Sequence, residues 1–332
     1  MTALQRPAKS KGALRSLGAV YGVLLMLVGA GGVAAHFLES ESAPLVLLAS
    51  FTPLFVAVSA IAFGTLLLTA PKVFAVAAAG VLAVGVGTQL PLYLGDTSSQ
   101  GGTGPQVRLM QANILFGHAD AASLVATIRA EGIDILTVSE LTDEAVRRLE
   151  VAGLADLLPY SFLRPRGGGG GAGIYSRHPL SDGAAIPGMI LENVHATVAV
   201  RGAAPTEVYA LHPIPPYPGP VSRWSAELSR LREVLDARRS PLIVGGDFNS
   251  TLDHGQFRRL LTGDGARPLV DAAEYLGAGI VPTYPAGRRF PAIIAIDRIL
   301  TRGSQPLSFR RAPIAGSDHH GVIGDIRLSP SV

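Results

Sequence analysis

Three long apolar stretches in the first third of the chain constrain its fold more than any other feature. They run over residues 17–38, 43–69 and 73–94. Each is long enough to cross a hydrocarbon core, which needs about 20 apolar residues. With 48% apolar residues overall, they predict three transmembrane α-helices joined to a separate globular part. A cleaved signal peptide would account for the first stretch only, because two more follow.

The charges beside these stretches predict their orientation. Residues 1–16 form a basic tail, and basic segments flanking membrane spans stay on the cytoplasmic side. The N-terminus is therefore expected in the cytoplasm. Three crossings then place residues 95–106, a Ser/Gly-rich segment that predicts a flexible linker, and the globular residues 107–332 outside the cytoplasmic membrane.

The composition of the globular part excludes several kinds of site. The chain has no cysteine, which excludes disulfides, thiolate metal sites and a cysteine nucleophile. From Gln106 onward it carries 23 arginines, no lysine and 22 acidic residues, a net charge of +1. The high isoelectric point therefore comes mainly from the basic tail, and the balanced charge argues against a broad face for nucleic acid.

Apolar patterning in the globular part predicts strands and helices mixed without strict alternation. The first strand covers Val107–Asn113, and residues 121–128 form an amphipathic helix that Gly132 ends. Another helix covers residues 222–239. Two glycines after Leu242-Ile243-Val244 indicate that this buried strand runs into a turn. Further strands are predicted over residues 133–139, 173–177, 195–200, 208–211 and 293–300, with a last one towards Leu328.

Polar side chains gather at, or just beyond, the ends of these strands. Each alone has an ordinary interpretation as a turn former or loop residue. Together, hard oxygen ligands without cysteine favour Mg²⁺ or Mn²⁺, and paired histidine and aspartate suit proton transfer and phosphate binding. The glycine run 167–171 favours a loop, with an anion-binding nest as the alternative. The polar residues are Asn113, Glu140, His212, Asp247, Asn249, Asp297, Asp318 and His319.

These residues lie in motifs that resemble the endonuclease/exonuclease/phosphatase superfamily, in the same order along the chain. The resemblance covers residues 107–328 and implies a four-layer α/β sandwich, two packed mixed β-sheets flanked by helices. Ser139 stands where many members have glutamine before the metal-binding glutamate. The motifs are Asn113, Asp134-x5-Glu140, Gly173-Ile174-Tyr175-Ser176-Arg177, Leu211-His212, Gly246-Asp247-Phe248-Asn249, Ile296-Asp297-Arg298-Ile299 and Ser317-Asp318-His319.

The resemblance implies a Mg²⁺- or Mn²⁺-dependent hydrolase that acts on phosphoester bonds. By the same resemblance, one set of residues holds the metal and another binds phosphate and transfers protons. The implied metal residues are Glu140, Asn113 and Asp318, and the implied catalytic residues are His319, Asp247, His212, Asn249 and Asp297.

The sequence leaves the substrate open between two kinds of phosphoester. One is a lipid or small head-group phosphoester close to the bilayer, and the other is nucleic acid cleaved by an extracytoplasmic nuclease. A catalytically silent surface binding module is the alternative of another class. Loss of a motif acid or histidine would favour it, and none is lost. Apart from the substrate and the lipid bilayer, no partner is inferable, since fold alone does not name one.

Overall fold

The computed structural model describes residues 8–96, 102–264 and 267–331, with side chains from residue 12 onward. These residues form two compact units. One runs to Leu90 and includes Asp253–Gly255, and the other contains the rest of the chain from Pro91. The predicted linker lies partly outside the described residues.

The first unit is helical, and its described helices number four. Gly12–Phe37, Thr52–Thr69 and Lys72–Gln89 are long and apolar enough to cross a membrane, as predicted. The second predicted stretch is broken at Phe51 because Pro53 lacks an amide hydrogen; the Thr52 hydroxyl binds the Ala49 carbonyl instead. The helices are α1 (Ala8–Phe37), α2 (Ala43–Ser50), α3 (Thr52–Thr69) and α4 (Lys72–Gln89).

The second unit contains two mixed β-sheets. Within its described residues, a seven-stranded sheet has the order β11-β13-β1-β2-β4-β3 with β12 also on β13, and a six-stranded sheet has the order β5-β6-β7-β8-β10-β9. The strands are β1 (Gln106–Asn113), β2 (Ile135–Ser139), β3 (Tyr160–Arg164), β4 (Ala172–Ser176), β5 (Leu180–Ala185), β6 (Val194–Val198), β7 (Thr206–Leu211), β8 (Leu242–Asp247), β9 (Val270–Asp271), β10 (Asp297–Arg302), β11 (Gln305–Pro306), β12 (Arg310–Ala312) and β13 (Gly321–Arg327).

Alternation along the strands builds an inner and an outer apolar layer. Leu109 points into the core between the sheets with Ile243, whereas its neighbour Met110 packs with Leu124 beneath the outer helices. Arg302 of β10 donates to the Leu235 carbonyl, 2.6 Å away, and so holds a helix on the second sheet. The predicted four-layer sandwich is confirmed. The helices of this unit are α5 (Pro91–Leu94), α6 (Ala121–Glu131), α7 (Asp143–Val151), α8 (Leu154–Leu157), α9 (Val221–Asp236), α10 (Gly255–Thr262, apart from its first residue) and α11 (Ala272–Tyr275).

Two local predictions were wrong. Gly245 and Gly246 lie inside β8 and not in a turn. A Cβ atom on Gly245 would stand 2.1 Å from the Thr137 hydroxyl of the facing sheet, so glycine is required for the sheets to approach here. The predicted strand 293–300 begins only at Asp297, because Ile294 instead forms a bridge with Tyr284.

The strand directions bring the polar strand ends to one edge of the sandwich. β1 and β2 are parallel, as are β7 and β8, so their carboxyl ends lie side by side within each sheet. β10 and β13 run antiparallel to β8 and β1 and contribute their amino ends to the same edge. Asp297, the first residue of β10, is the register partner of Asp247, the last residue of β8.

Candidate active site

The Asn113 side chain lies at the centre of the cluster at this edge. Its Nδ2 atom donates to Glu140 Oε1 and to Asp247 Oδ2, both at 2.9 Å. Asn113 and Asp247 are buried at the ends of strands in different sheets, and Glu140 follows the neighbouring strand β2. Two carboxylates from different sheets therefore converge on one amide group.

Backbone strain surrounds this group of polar side chains. Glu140, Leu115, Phe116 and Asn249 have φ angles of 63°, 47°, 50° and 48°, in the left-handed region that costs a non-glycine residue about 1–3 kcal/mol. The site side chains bind these backbones: Phe116 N–H donates to Glu140 Oε2 at 2.6 Å, Leu115 N–H to Asn113 Oδ1, and Asn249 N–H to Asp247 Oδ1. The hydrogen bonds that hold the strained turns also fix the orientation of the carboxylates.

A second hydrogen-bonded pair is formed by Asp297 and His319. The His319 Nδ1 atom is 2.8 Å from Asp297 Oδ2, and its Nε2 atom is 3.7 Å from Asp247 Oδ2. Burial opposes protonation of His319, but the charges of Asp297 and Asp247 outweigh it and raise the pKa of His319 to about 10. Burial also raises the pKa of Asp297, which His319 opposes. Because Nδ1 needs an acceptor, we place the proton of the pair on the imidazole.

His212 and Asn249 complete the cluster on the side of the second sheet. His212 Nε2 lies 3.6 Å from Asp247 Oδ2, and its Nδ1 atom is buried without a hydrogen-bond partner. Asn193 fixes the His212 backbone by accepting from its amide and donating to its carbonyl. Asn249 Nδ2 donates to the Pro213 carbonyl, which ties the loop after His212 to the end of β8.

Seven of the eight predicted residues thus meet in one network, and Asp318 does not. The Asp318 carboxylate forms no hydrogen bond or ion pair with any of the described residues, although its negative charge contributes to raising the pKa of His319. Ser139, at the position where many members have glutamine, accepts at 3.1 Å from Nε2 of Gln111 on the neighbouring strand.

Several supporting residues were not predicted from the sequence as part of the site. Ser317 donates to the Asn113 carbonyl and accepts from the His319 amide, so it joins the two halves of the cluster. Thr283 accepts from the Asp297 amide, and the Tyr284 ring lies 4.9 Å from the His319 ring. The Ser317-Asp318-His319 motif was a signal for Ser317, whereas nothing in the sequence marks Thr283, Tyr284 or Asn193.

The donor set fits a hard divalent cation. Glu140 and Asp247 each offer carboxylate oxygens with free lone pairs beyond the hydrogen bonds they accept, and oxygen ligands are those that Mg²⁺ and Mn²⁺ prefer. Asp247, Asp297 and His319 also bring potential ligand atoms within 4.8 Å of one another. In that second group, however, the Asp297–His319 hydrogen bond occupies one atom of each partner. Glu140 is likewise hydrogen-bonded, to Asn113 and to Phe116, but each of its oxygens keeps a lone pair that could bind an ion.

We compared the chain with known proteins and with solved structures. A comparison with curated proteins gave no match. Among solved structures, TDP2 of D. rerio, humanized by 14 mutations, is 16% identical and covers 67% of this chain and 99% of its own, with a TM-score of 0.56. An endonuclease/exonuclease/phosphatase of Beutenbergia cavernae is 23% identical over 68% of this chain and 72% of its own, with a TM-score of 0.52. Another, of Bacteroides vulgatus, is 16% identical over 68% and 100%, with a TM-score of 0.53.

These likenesses show the fold, and the family assignment comes from the sequence match. Residues 110–319 match the Endonuclease/Exonuclease/phosphatase family, a span that begins within β1 and ends at His319. It includes every member of the polar cluster. The chain belongs to the endonuclease/exonuclease/phosphatase family, whose members hydrolyse phosphoester bonds.

Proposed function

We propose that this protein is a membrane-anchored, divalent-metal-dependent phosphoesterase whose active site lies outside the cytoplasmic membrane. The observation that carries the proposal is the position of Asp247. The Asp247 carboxylate accepts from Asn113, and Asn113 also donates to Glu140. The same carboxylate lies within 4 Å of both His212 and His319. Asp247 would therefore lie between a cation held near Glu140 and two imidazoles that can bind phosphate or transfer a proton.

Glu140 and Asn113 would hold Mg²⁺ or Mn²⁺, with Asp318 supporting the ion or a water molecule. The Asn113 Nδ2 group donates to both carboxylates, so the atom that Asn113 would offer an ion is Oδ1, which also accepts from Leu115 N–H. The chemistry such an ion supplies is polarisation of a phosphate oxygen and stabilisation of the leaving oxygen.

His319, oriented by Asp297, would act as the general base that takes a proton from the attacking water. The hydrogen bond from Nδ1 to Asp297 leaves Nε2 directed towards the Asp247 side of the site. Asp247 would position the water. Asn249 and His212, held by Pro213 and Asn193, would bind the phosphoryl oxygens. The buried, unpartnered Nδ1 atom of His212 supports a role in ligand binding.

The membrane side follows from the charges that flank the candidate spans. A basic tail before α1 favours a cytoplasmic N-terminus, and three crossings then place the second unit outside. Reporter enzymes that are active only outside the cytoplasm, fused after Val332, test this. Activity in intact cells is expected, whereas a reporter active only in the cytoplasm would contradict the orientation.

For the substrate, we favour a lipid or small head-group phosphoester. Duplex binding depends on basic residues that neutralise several phosphates, and this unit has nearly balanced charge and no lysine. A membrane tether also raises the effective concentration of the site against head groups. Nuclease activity is the second candidate, since one structural neighbour is TDP2 of D. rerio in complex with a single strand DNA product.

The deciding experiment measures hydrolysis by the purified full chain in detergent with Mg²⁺, Mn²⁺ or EDTA. Substrates are phospholipids, inositol phosphates, DNA and RNA, each compared by kcat/KM. We expect metal-dependent turnover with preference for a lipid or small phosphoester. Preference for DNA would overturn the substrate class, and full turnover in EDTA would overturn the proposed chemistry.

A further inference from the structure

A loop beside the catalytic histidine is built like a hairpin and is fixed to the site at its base. Tyr284 and Ile294 form a bridge that closes it, and the Tyr284 ring lies 4.9 Å from the His319 ring. Ala286 N–H donates to the Asp318 carbonyl at 2.6 Å. Residues 284–294, the rim loop, therefore have a rigid attachment to the segment that carries His319.

The tip of the rim loop is both cationic and apolar. Arg288, Arg289 and Phe290 are exposed, Phe290 by 53%, and Ile293 on the returning side is 41% exposed. Neither arginine forms an ion pair or hydrogen bond with any residue in the described ranges. Some exposed or half-buried arginines elsewhere pair, namely Arg108 with Asp325, Arg177 with Asp134, and Arg310 with Glu131, whereas Arg201 and Arg232 have no such partner among the described residues.

Two unpaired guanidinium groups next to an exposed phenyl ring, a proline and an isoleucine suit the surface of an anionic bilayer. Apolar side chains enter the boundary between head groups and acyl chains, while arginines bind phosphates at its surface. Each such arginine strengthens binding by about fivefold. A single strand of nucleic acid also stacks on aromatic rings, but Pro291 and Ile293 add apolar surface that stacking does not use.

Three candidate membrane spans precede the second unit in the sequence, so the proposed anchoring would hold this unit near a bilayer. The segment that directly follows the third span in sequence, α5, is bound to this unit: the Leu92 carbonyl accepts from Gly279 N–H at 2.7 Å. Gly279 lies five residues before Tyr284 in the sequence. The residue that binds α5 and the rim loop thus belong to one short stretch of chain.

We propose that the rim loop docks on an anionic lipid bilayer, with Phe290 and Ile293 inserted and Arg288 and Arg289 on the lipid phosphates. This rests on the proposed membrane anchoring and deepens it, since docking would present the His319 side of the site to phosphoesters in the head-group layer. The partner is the lipid surface, and the loop selects it by charge.

The absence of cysteine allows a direct test on the full chain. Phe290→Cys carries a single NBD fluorophore, and the protein is reconstituted into vesicles that contain nitroxide-labelled lipid. Val151→Cys, at a position that is 91% exposed on α7, is the matched control. We expect at least threefold stronger quenching at position 290 than at 151 in phosphatidylglycerol vesicles. Quenching should fall by at least half in phosphatidylcholine vesicles, or when Arg288→Gln and Arg289→Gln are added.

Equal quenching at both positions would overturn the proposal, as would equal quenching in charged and neutral vesicles. Single-stranded DNA is added to the labelled protein in detergent as a further arm. An NBD response to DNA without lipid quenching would assign the loop to nucleic acid and also overturn the proposal. Hydrolysis by the unmodified chain is measured separately. Loss of docking with hydrolysis intact refutes only this inference, and quenching without hydrolysis refutes only the proposed catalysis.

Discussion

Replacing Asp297 by asparagine tests the geometry of the site most directly. The carboxylate is buried, accepts from His319 Nδ1 at 2.8 Å, and has a second oxygen, Oδ1, without a hydrogen-bond partner. Asparagine keeps the shape but removes the charge and places either an amide hydrogen at Nδ1 or an unsatisfied NH₂ group at the Oδ1 position. Both arrangements weaken the orientation of the imidazole and its positive form.

The expected loss follows from what a positioned acid–base group contributes. Such groups supply about 10²–10⁴-fold in rate, which at about 1.36 kcal/mol per tenfold corresponds to about 2.7–5.4 kcal/mol. We expect the Asp297→Asn substitution to lower kcat/KM by a factor within this range. Because the charge of Asp297 is the largest cause that raises the pKa of His319, this pKa should fall from about 10 towards its usual range. The limb of the pH–rate profile that reports His319 should therefore move to lower pH.

The assay is hydrolysis of bis(p-nitrophenyl) phosphate with Mn²⁺ across pH, with folded fraction measured by circular dichroism. Asp271→Asn is the matched control, since Asp271 is also a buried aspartate, 3.3 Å from Arg298 on the neighbouring strand. It should lower the melting temperature without moving the pH limb. A normal kcat/KM in Asp297→Asn, or a loss without any shift along the pH axis, would refute the assignment of Asp297 as the residue that orients the base.

Three further predictions test the metal site, the base and the sheet packing. Glu140→Gln should raise the Mn²⁺ concentration for half-maximal activity at least tenfold, because one carboxylate oxygen becomes a donor facing Asn113 or Phe116; unchanged metal dependence in a titration would contradict this. A base must be deprotonated, so with a pKa of about 10 for His319, kcat/KM of the native protein should rise with pH from 7 to 9; a flat or falling profile would contradict His319 as the base. Gly245→Ala should destabilise the unit by about 1–3 kcal/mol through overpacking against Thr137; chemical denaturation measures it, and an unaltered midpoint would show that the sheets can separate at no cost.

The sequence predicted the inner strands and the polar residues that end them. β7 and β8 are buried along their length and β1 is buried from Leu109 onward, so their apolar runs are strong signals. The strands that sequence reasoning missed are mostly edge strands. β3 and β5 lie at sheet edges and have largely exposed or half-buried side chains, so neither carries an apolar pattern. An alternating or continuous apolar pattern arises only where side chains are buried, and the side chains of these edge strands are mostly not buried.

The contacts inside the site could not be predicted, because they depend on strand register and on strained turns. Alternation indicated that Asp247 and Asn249 point the same way, but it did not show that Asn249 would enter the left-handed region with its amide bound to Asp247. Nor did it show that Asn113 donates to both carboxylates. The types of residue were readable from the sequence, whereas the partner of each was not.

The register between β8 and β10 explains why one aspartate can serve both halves of the site. Asp247 and Asp297 face each other across antiparallel strands, so two acids would repel at this distance unless something positive lay between or beside them. His319 lies beside both carboxylates, and the amide of Asn113 binds Asp247 from the other side. Removal of either neighbour leaves a buried carboxylate less compensated. The register therefore places the Asp247 carboxylate where His319 on one side and the Asn113 amide on the other compensate its charge, so one aspartate contacts both halves of the site.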